Sequence, residues 1–143
     1  MVFNLFLDTD IILDLLLKRE SFYKESYAIF NLSETQKVKL YTSSSIIINV
    51  QYIGDKISTK KNTSTAIKYM VENFVEIINP SRNAILEAYD SEFKDYEDAI
   101  QYFTAKEAGF INFFITRNVK DYKNALKAML VQTPAQFLKL NAI

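Results

Sequence analysis

The chain has 143 residues, of which 49% are hydrophobic, and it contains two glycines, two prolines, no cysteine and no histidine, while 17 basic residues balance 17 acidic ones. This composition excludes a disordered chain, a disulfide scaffold, a thiolate metal site and any hydrolase that needs a Ser–His or Cys–His pair. The length predicts one domain over residues 1–143 with a substantial core, and the zero net charge provides no overall attraction for polyanions.

The amino-terminal segment lacks the pattern of a secretory leader. Its apolar residues are interrupted by Asp8, Asp10 and Asp14, and no basic segment precedes them. No uncharged apolar run approaches the roughly 20 residues that span a bilayer. We therefore expect a soluble, cytoplasmic protein without membrane contact, and the lack of cysteine is compatible with a reducing compartment.

Short apolar runs alternate with longer segments of helical periodicity along the chain. The apolar runs are bounded by polar or helix-capping residues, which is typical of buried strands. In chain order the pattern predicts a strand at 3–7, helices at 9–17 and from 21, a strand at 38–42, helices at 46–57 and 66–73, a strand at 74–78, helices at 81–93 and 95–109, and a strand at 111–115.

The pattern near the end of the chain fits two structures. Residues 127–131 are compatible with a fifth strand or with the end of a helix. Thr133 and Pro134 then predict a final helix, because threonine caps helices and proline favours their first position. Strands separated by helices indicate a three-layer α/β/α fold with a mainly parallel, four- to five-stranded central sheet.

Three aspartates lie where such a sheet would bring them together. Asp8 follows the first strand, Asp121 follows the fourth, and Asp98 borders the buried face of a helix. Each has an ordinary explanation by itself, since Asp8 can cap a helix and loops often carry acids. Ligands bind at the carboxyl ends of parallel strands, however, so we expect the three carboxylates to share one site. Oxygen ligands without histidine or cysteine suit a hard cation such as Mg²⁺.

Other acids are explained first by helix chemistry. Asp10 lies in a first helical turn, where the helix dipole favours an acid, and Asp95 is placed to cap its helix. Asp14 lies one turn after Asp10 in an otherwise apolar helix, so it needs solvent, a cation or a basic partner. Glu97 points about 100° away from Asp98 around the helix, and we expect it to be solvated.

Three segments of the chain carry a family resemblance. They are residues 5–14 (LFLDTDIILD), 94–99 (KDYEDA) and 115–122 (ITRNVKDY). Together they resemble the PIN domain family, metal-dependent nucleases that include the toxins of VapBC-type toxin–antitoxin pairs. The resemblance implies that Asp8, Asp98 and Asp121 are metal-binding and catalytic. It also implies supporting polar residues in the same segments, namely Thr9, Asp95, Thr116 and Asn118.

Two positions depart from the usual PIN pattern. Many PIN nucleases carry a glutamate on the third helix, where this chain has Asn49 beside the apolar stripe of Ile46 and Ile53. A subgroup carries asparagine there, and a buried amide needs polar partners, which the edge of the sheet could supply. The second departure is Asp10, which replaces the usual asparagine. Asp10 as an additional metal ligand would partly restore the missing charge.

The resemblance implies a toxin–antitoxin-type endoribonuclease that uses Mg²⁺ or Mn²⁺ to hydrolyse single-stranded RNA. Arg19, Arg117 and Lys120 are expected to hold the RNA backbone, together with Lys123, although basic residues at exposed ends of elements are more often simple solubilising groups. The expected partners are RNA, an antitoxin protein and a second copy of the chain.

Two alternatives remain open from the sequence. A PIN-like module that binds RNA or protein, with weakened catalysis, would explain the asparagine at position 49. A phosphatase of the haloacid dehalogenase type also has Asp-x-Asp after its first strand, as in Asp8–Asp10. That class usually has glycine-rich turns after the strand, whereas this chain enters a helix at once.

Overall fold

The computed structural model describes residues 1–123 and 129–141, which form a central sheet of five parallel strands flanked by helices. The strands are β1 (Phe3–Leu7), β2 (Val38–Thr42), β3 (Val75–Ile77), β4 (Phe113–Ile115) and β5 (Leu130–Gln132), in the spatial order β3-β2-β1-β4-β5. The helices are α1 (Thr9–Leu16), α2 (Tyr23–Glu34), α3 (Ser44–Ile57), α4 (Lys60–Asn73), α5 (Arg82–Asp90), α6 (Tyr96–Ala108) and α7 (Pro134–Asn141). The predicted α/β fold is confirmed.

The first strand forms the centre of the sheet. Leu5, Phe6 and Leu7 are completely buried, because helices cover both faces and every side chain of the strand must enter a core. Phe6 stacks on Phe114 of the neighbouring strand with ring centroids 5.3 Å apart. This continuous apolar run, rather than an alternating one, is what a central parallel strand requires.

Local capping fixes where several helices begin. The Asp8 carboxylate accepts a hydrogen bond from the Thr9 amide at 2.8 Å, and the Ser43 hydroxyl accepts one from the Ile46 amide at 3.2 Å. Helix α6 ends at Gly109, which has a φ of 81°. Glycine adopts this left-handed conformation without strain. The predicted cap at Asp8 and the predicted helix end near Gly109 are confirmed, whereas α3 begins at Ser44, two residues before the predicted start at 46.

The prediction that the fourth helix begins at residue 66 is wrong. Helix α4 begins at Lys60, because the Thr59 hydroxyl accepts a hydrogen bond from the Asn62 amide at 3.1 Å and caps it. Helix α5 also ends earlier than predicted, at Asp90. The ambiguous segment 127–131 yields strand β5 from Leu130, while residues 127 and 128 lie outside the described part of the chain.

No helix in residues 1–123 or 129–141 is long and apolar enough to cross a membrane.

Gly54 sits at the closest approach of α3 to α4. A Cβ atom at this position would lie 2.6 Å from Thr63 Cγ2 and 3.0 Å from its Oγ1. Thr63 is buried and donates a hydrogen bond to the Thr59 carbonyl at 3.0 Å, so its rotamer is constrained. Glycine is therefore required here for space rather than for backbone conformation.

We expect Gly54→Ala to destabilise the protein. Overpacking costs about 1–3 kcal/mol, whereas the gain in helix propensity is at most about 1 kcal/mol, so the clash outweighs the gain. Urea unfolding measures the change. Thr63→Ser in the Gly54→Ala background removes the clashing methyl group and should recover much of the loss. A Gly54→Ala protein as stable as wild type would show that the two helices can separate freely.

Candidate metal-binding and active site

Asp8 is held at the carboxyl edge of the sheet, directly after β1. One carboxylate oxygen, Oδ1, accepts the Thr9 amide, while Oδ2 accepts hydrogen bonds from the Thr116 hydroxyl at 2.9 Å and the Tyr122 hydroxyl at 3.2 Å. Burial raises the pKa of the Asp8 carboxyl, the charge of Asp10 raises it further, and the three hydrogen bonds oppose both effects. Asp8 is thus fixed in orientation and only 8% exposed.

Asp98 lies in the first turn of α6, which Asp95 caps by accepting the Asp98 amide at 3.1 Å. Burial and neighbouring carboxylates raise the pKa of Asp98 to about 7, and a hydrogen bond with the Tyr122 hydroxyl opposes this rise. The carboxylates that contribute are those of Asp8, Asp95 and Asp121. Burial and, after it, the like charge of three carboxylates therefore oppose the ionisation of Asp98.

Asp121 lies in a short 3₁₀ helix, Val119–Tyr122, that follows β4, and its side chain is exposed. It borders an open groove of about 400 Å³. Charges of both signs line the groove. They are the acids Asp95, Asp98 and Asp121 and the lysines Lys94, Lys120 and Lys123. The three predicted catalytic aspartates thus come from separate elements to one region of the sheet edge.

The chemistry of this group fits a divalent cation. Within the described ranges, Asp8, Asp95, Asp98 and Asp121 form no ion pair with lysine or arginine within 4.0 Å. Several carboxylates without a cationic partner are the oxygen donors that Mg²⁺ and Mn²⁺ prefer. As the side chains stand, however, no three acids of residues 1–123 and 129–141 converge closely enough to hold one ion. A third carboxylate would have to rotate toward Asp8 and Asp98.

A second charged cluster is internally neutralised. Arg19 lies 3.2 Å from Asp10 and 3.5 Å from Asp14, and Arg117 lies 2.9 Å from Asp14 and 3.6 Å from Asp10. Asp14 is 1% exposed; burial raises its pKa, and the two guanidinium charges lower it. Arg117 also lies over the Phe22 ring at 3.9 Å. The basic partner expected for Asp14 is therefore present.

These contacts bear on three predicted site residues. Asp10, expected to bind metal, has its charge balanced by two arginines and accepts a long hydrogen bond from Asn118 at 3.4 Å. Arg19 and Arg117, expected to bind RNA, are less than one-third exposed and occupied by these acids. These contacts account for Asp10, Arg19 and Arg117 without a ligand. A metal site at this edge would therefore depend on Asp8, Asp98 and Asp121.

Asn49 does not reach the acid cluster but bonds to Glu97. Its side-chain amide donates to the Glu97 carboxylate at 2.5 Å. One turn away on the same two helices, Gln101 donates to Ser45 at 2.6 Å and accepts a hydrogen bond from Ser43 at 2.5 Å. Polar side chains spaced by one turn thus join α3 to α6.

Glu97 is exposed, as predicted, but it is not only solvated, because it is also the partner of Asn49. The one-turn spacing of Ser45 and Asn49 on one helix, and of Glu97 and Gln101 on the other, is the sequence signal that could have revealed this pairing. Tyr122 was also missed. No local pattern identifies its role, since a tyrosine after a polar loop is usually a packing residue.

The family model for the PIN domain matches residues 4–120. The chain is 36% identical over 111 residues to Ribonuclease VapC1 of Aquifex aeolicus (strain VF5), a match that covers 74% of this chain and 76% of that protein.

Solved structures with the same fold include a toxin–antitoxin complex from Klebsiella pneumoniae, with 27% identity, a TM-score of 0.64 and coverage of 90% of this chain and 96% of that one. VapBC2 from Rickettsia felis, bound to a DNA fragment from its promoter, has a TM-score of 0.66 at 17% identity, with coverage of 93% and 98%. The latter similarity concerns the fold alone.

In metal-free buffer, Asp98→Asn should stabilise the protein near pH 8 and have little effect near pH 4. The pKa of Asp98 rises from 3.8 to about 7 on folding, so between these values the folded state retains a proton that the unfolded state has released. Wild-type stability therefore falls as pH rises through this range, and asparagine cannot titrate. Urea midpoints in EDTA measure the difference, and a pH-independent difference would contradict the assignment.

Asn49→Glu should destabilise the protein in EDTA by about 1 kcal/mol, because it replaces a hydrogen bond to Glu97 by a contact between two carboxylates. Adding Glu97→Gln supplies an amide donor again and should restore most of the loss. The single variant Glu97→Gln keeps an oxygen for Asn49 and serves as the matched control. If Asn49→Glu and the double variant Asn49→Glu/Glu97→Gln are destabilised equally, position 49 acts through packing instead.

Proposed function

The chain belongs to the PIN domain family, and from this premise we propose that it is a Mg²⁺- or Mn²⁺-dependent ribonuclease that hydrolyses phosphodiester bonds in single-stranded RNA. The observation that carries the proposal is the group of carboxylates around Tyr122, which lack cationic partners in the described chain and raise the pKa of Asp98. Maintaining this repulsion costs stability, which is expected at a functional site rather than at a structural one.

Asp8, Asp98 and Asp121 are the residues that would hold the ion. A divalent ion bound there supplies positive charge to the phosphate oxygens and makes water a better nucleophile at neutral pH. Asp8 contributes a carboxylate whose orientation is fixed by three hydrogen bonds. Asp98, half-buried beside it, contributes a carboxyl group whose pKa of about 7 would fall when a cation binds, because positive charge favours the ionised form.

The lysines of the groove are suited to the RNA backbone. Lys94, Lys120 and Lys123 border the same 400 Å³ opening as the acids, so a strand that enters it meets positive charge beside the proposed metal ligands. They form no ion pair with an acid within the described ranges. Lys120 therefore remains a proposed RNA-binding residue, while Arg19 and Arg117 have less support because Asp10 and Asp14 occupy them.

We further propose that the enzyme is the toxin of a toxin–antitoxin pair. Support comes from its similarity to Ribonuclease VapC1 and to a chain of the Klebsiella pneumoniae toxin–antitoxin complex. The partner would be an antitoxin protein, and the compartment would be the cytoplasm, where RNA and its antitoxin are present. A homodimer stays a prediction from the family resemblance.

A binding module with weakened catalysis is the second candidate. It is favoured by the absence of a closed three-acid site in residues 1–123 and 129–141 and by the amide at position 49. The phosphatase alternative has no support, since the matched family is a different one. RNA that is bound but never cut would favour the binding module.

The proposal is tested with single-stranded RNA, Mn²⁺ and the variant Asp98→Asn. We expect cleavage that needs Mn²⁺, stops in EDTA and falls at least about 100-fold in the variant, because one charged ligand is lost. Asp90→Asn, at an exposed acid on the end of α5, is the matched control and should cleave normally. Equal cleavage by wild type and Asp98→Asn would refute the assignment.

A further inference from the structure

Tyr122 occupies a tightly packed position beside the buried Asp8 and the half-buried Asp98. Its side chain is 2% exposed. Its ring contacts Phe114 at 4.9 Å, Phe93 at 5.7 Å and Tyr102 at 6.3 Å between centroids. Aromatic neighbours on several sides leave the ring little freedom to rotate away. The location of the hydroxyl is therefore set by the core and not by solvent.

The hydroxyl of Tyr122 interacts with both carboxylates that are proposed to hold the cation. It donates its one hydrogen to Asp8 Oδ2 at 3.2 Å, the same oxygen that accepts the Thr116 hydroxyl at 2.9 Å, and the Asp98 carboxyl lies within reach of the same hydroxyl. Two neighbouring carboxylates repel each other and would otherwise rotate apart. A hydroxyl fixed beside both of them, and able to donate to either one, opposes that rotation without adding a charge.

We propose that Tyr122 is a positioning residue that keeps Asp8 and Asp98 oriented for a divalent cation. The inference rests on the proposed function, and it adds a residue that packing alone would not require, since phenylalanine would fill the same space. Outer hydrogen bonds that orient metal ligands typically contribute a factor of about 10–100 in metal affinity. The hydroxyl keeps its proton, because burial and the two carboxylates raise the pKa of Tyr122 far above neutrality.

The test compares Mn²⁺ binding by wild type and Tyr122→Phe with isothermal titration calorimetry, without RNA. The variant keeps the aromatic ring and loses only the donor, so we expect about tenfold weaker binding with an unchanged circular dichroism spectrum. Thr116→Val removes the other hydroxyl donor to Asp8 Oδ2 and should weaken binding in the same direction. Tyr41→Phe is the matched control: Tyr41 lies on β2, is 8% exposed and packs on Phe110.

The outcomes separate this inference from the proposed function. Weaker Mn²⁺ binding by Tyr122→Phe, with Tyr41→Phe equal to wild type, supports the positioning role. Equal affinity of wild type and Tyr122→Phe would overturn that role while leaving the metal site in place. Tighter binding by the variant would also overturn it, because the hydroxyl would then compete with the ion. No Mn²⁺ binding by wild type would refute both the site and the role of Tyr122.

Discussion

The parallel pairing of β1 with β4 is the contact on which the site depends. The two strands run side by side in register, and the Asp8 amide donates to the Ile115 carbonyl at 3.0 Å just where both strands end. This pairing places Thr116, 108 residues away in sequence, next to the Asp8 carboxylate. The loop after β4 then brings Tyr122 and Asp121 to the same edge. A shift in strand register would separate these groups and flip alternate side chains to the other face.

Acidic residues near this edge fall into two groups. One group has arginine partners, and the other has carboxylates as neighbours. Asp10 and Asp14 are balanced by two arginines, and such a network of paired, largely buried charges has a structural role in the start of α1. Asp8 and Asp98 face other carboxylates, with hydroxyl and amide donors but no cation in the described residues. The contrast separates the acids whose charge is balanced within the fold from those that we propose to bind a cation.

Helices α3 and α6 are joined by polar contacts at the position where the usual PIN pattern has a glutamate. Asn49 bonds to Glu97, so the amide has an acidic partner on the facing helix instead of adding a carboxylate of its own. Ser43, Ser45 and Gln101 extend the contact by one turn. The interface therefore remains satisfied without the extra negative charge, which would increase repulsion around Asp98.

The sequence by itself determined the elements and the edge at which the acids meet. Apolar runs such as residues 3–7 identify buried strands, and capping residues such as Ser43 and Asp95 mark helix starts, because both signals act over a few neighbouring residues. The start of α4 shows where such local patterns fail. Polarity alone suggested a loop there, but Thr59 caps a helix.

Only the tertiary structure decided which partner each polar group has. Several of these partners are far apart in sequence. The pairs are Asp14 with Arg117, Asn49 with Glu97, and Tyr122 with Asp8. Such contacts depend on strand register, helix packing and side-chain rotamers to within about an ångström, whereas a residue's type and spacing specify only the face it lies on. The sequence therefore predicted which acids lie at one edge of the sheet, and the packing decided which partner each of them has.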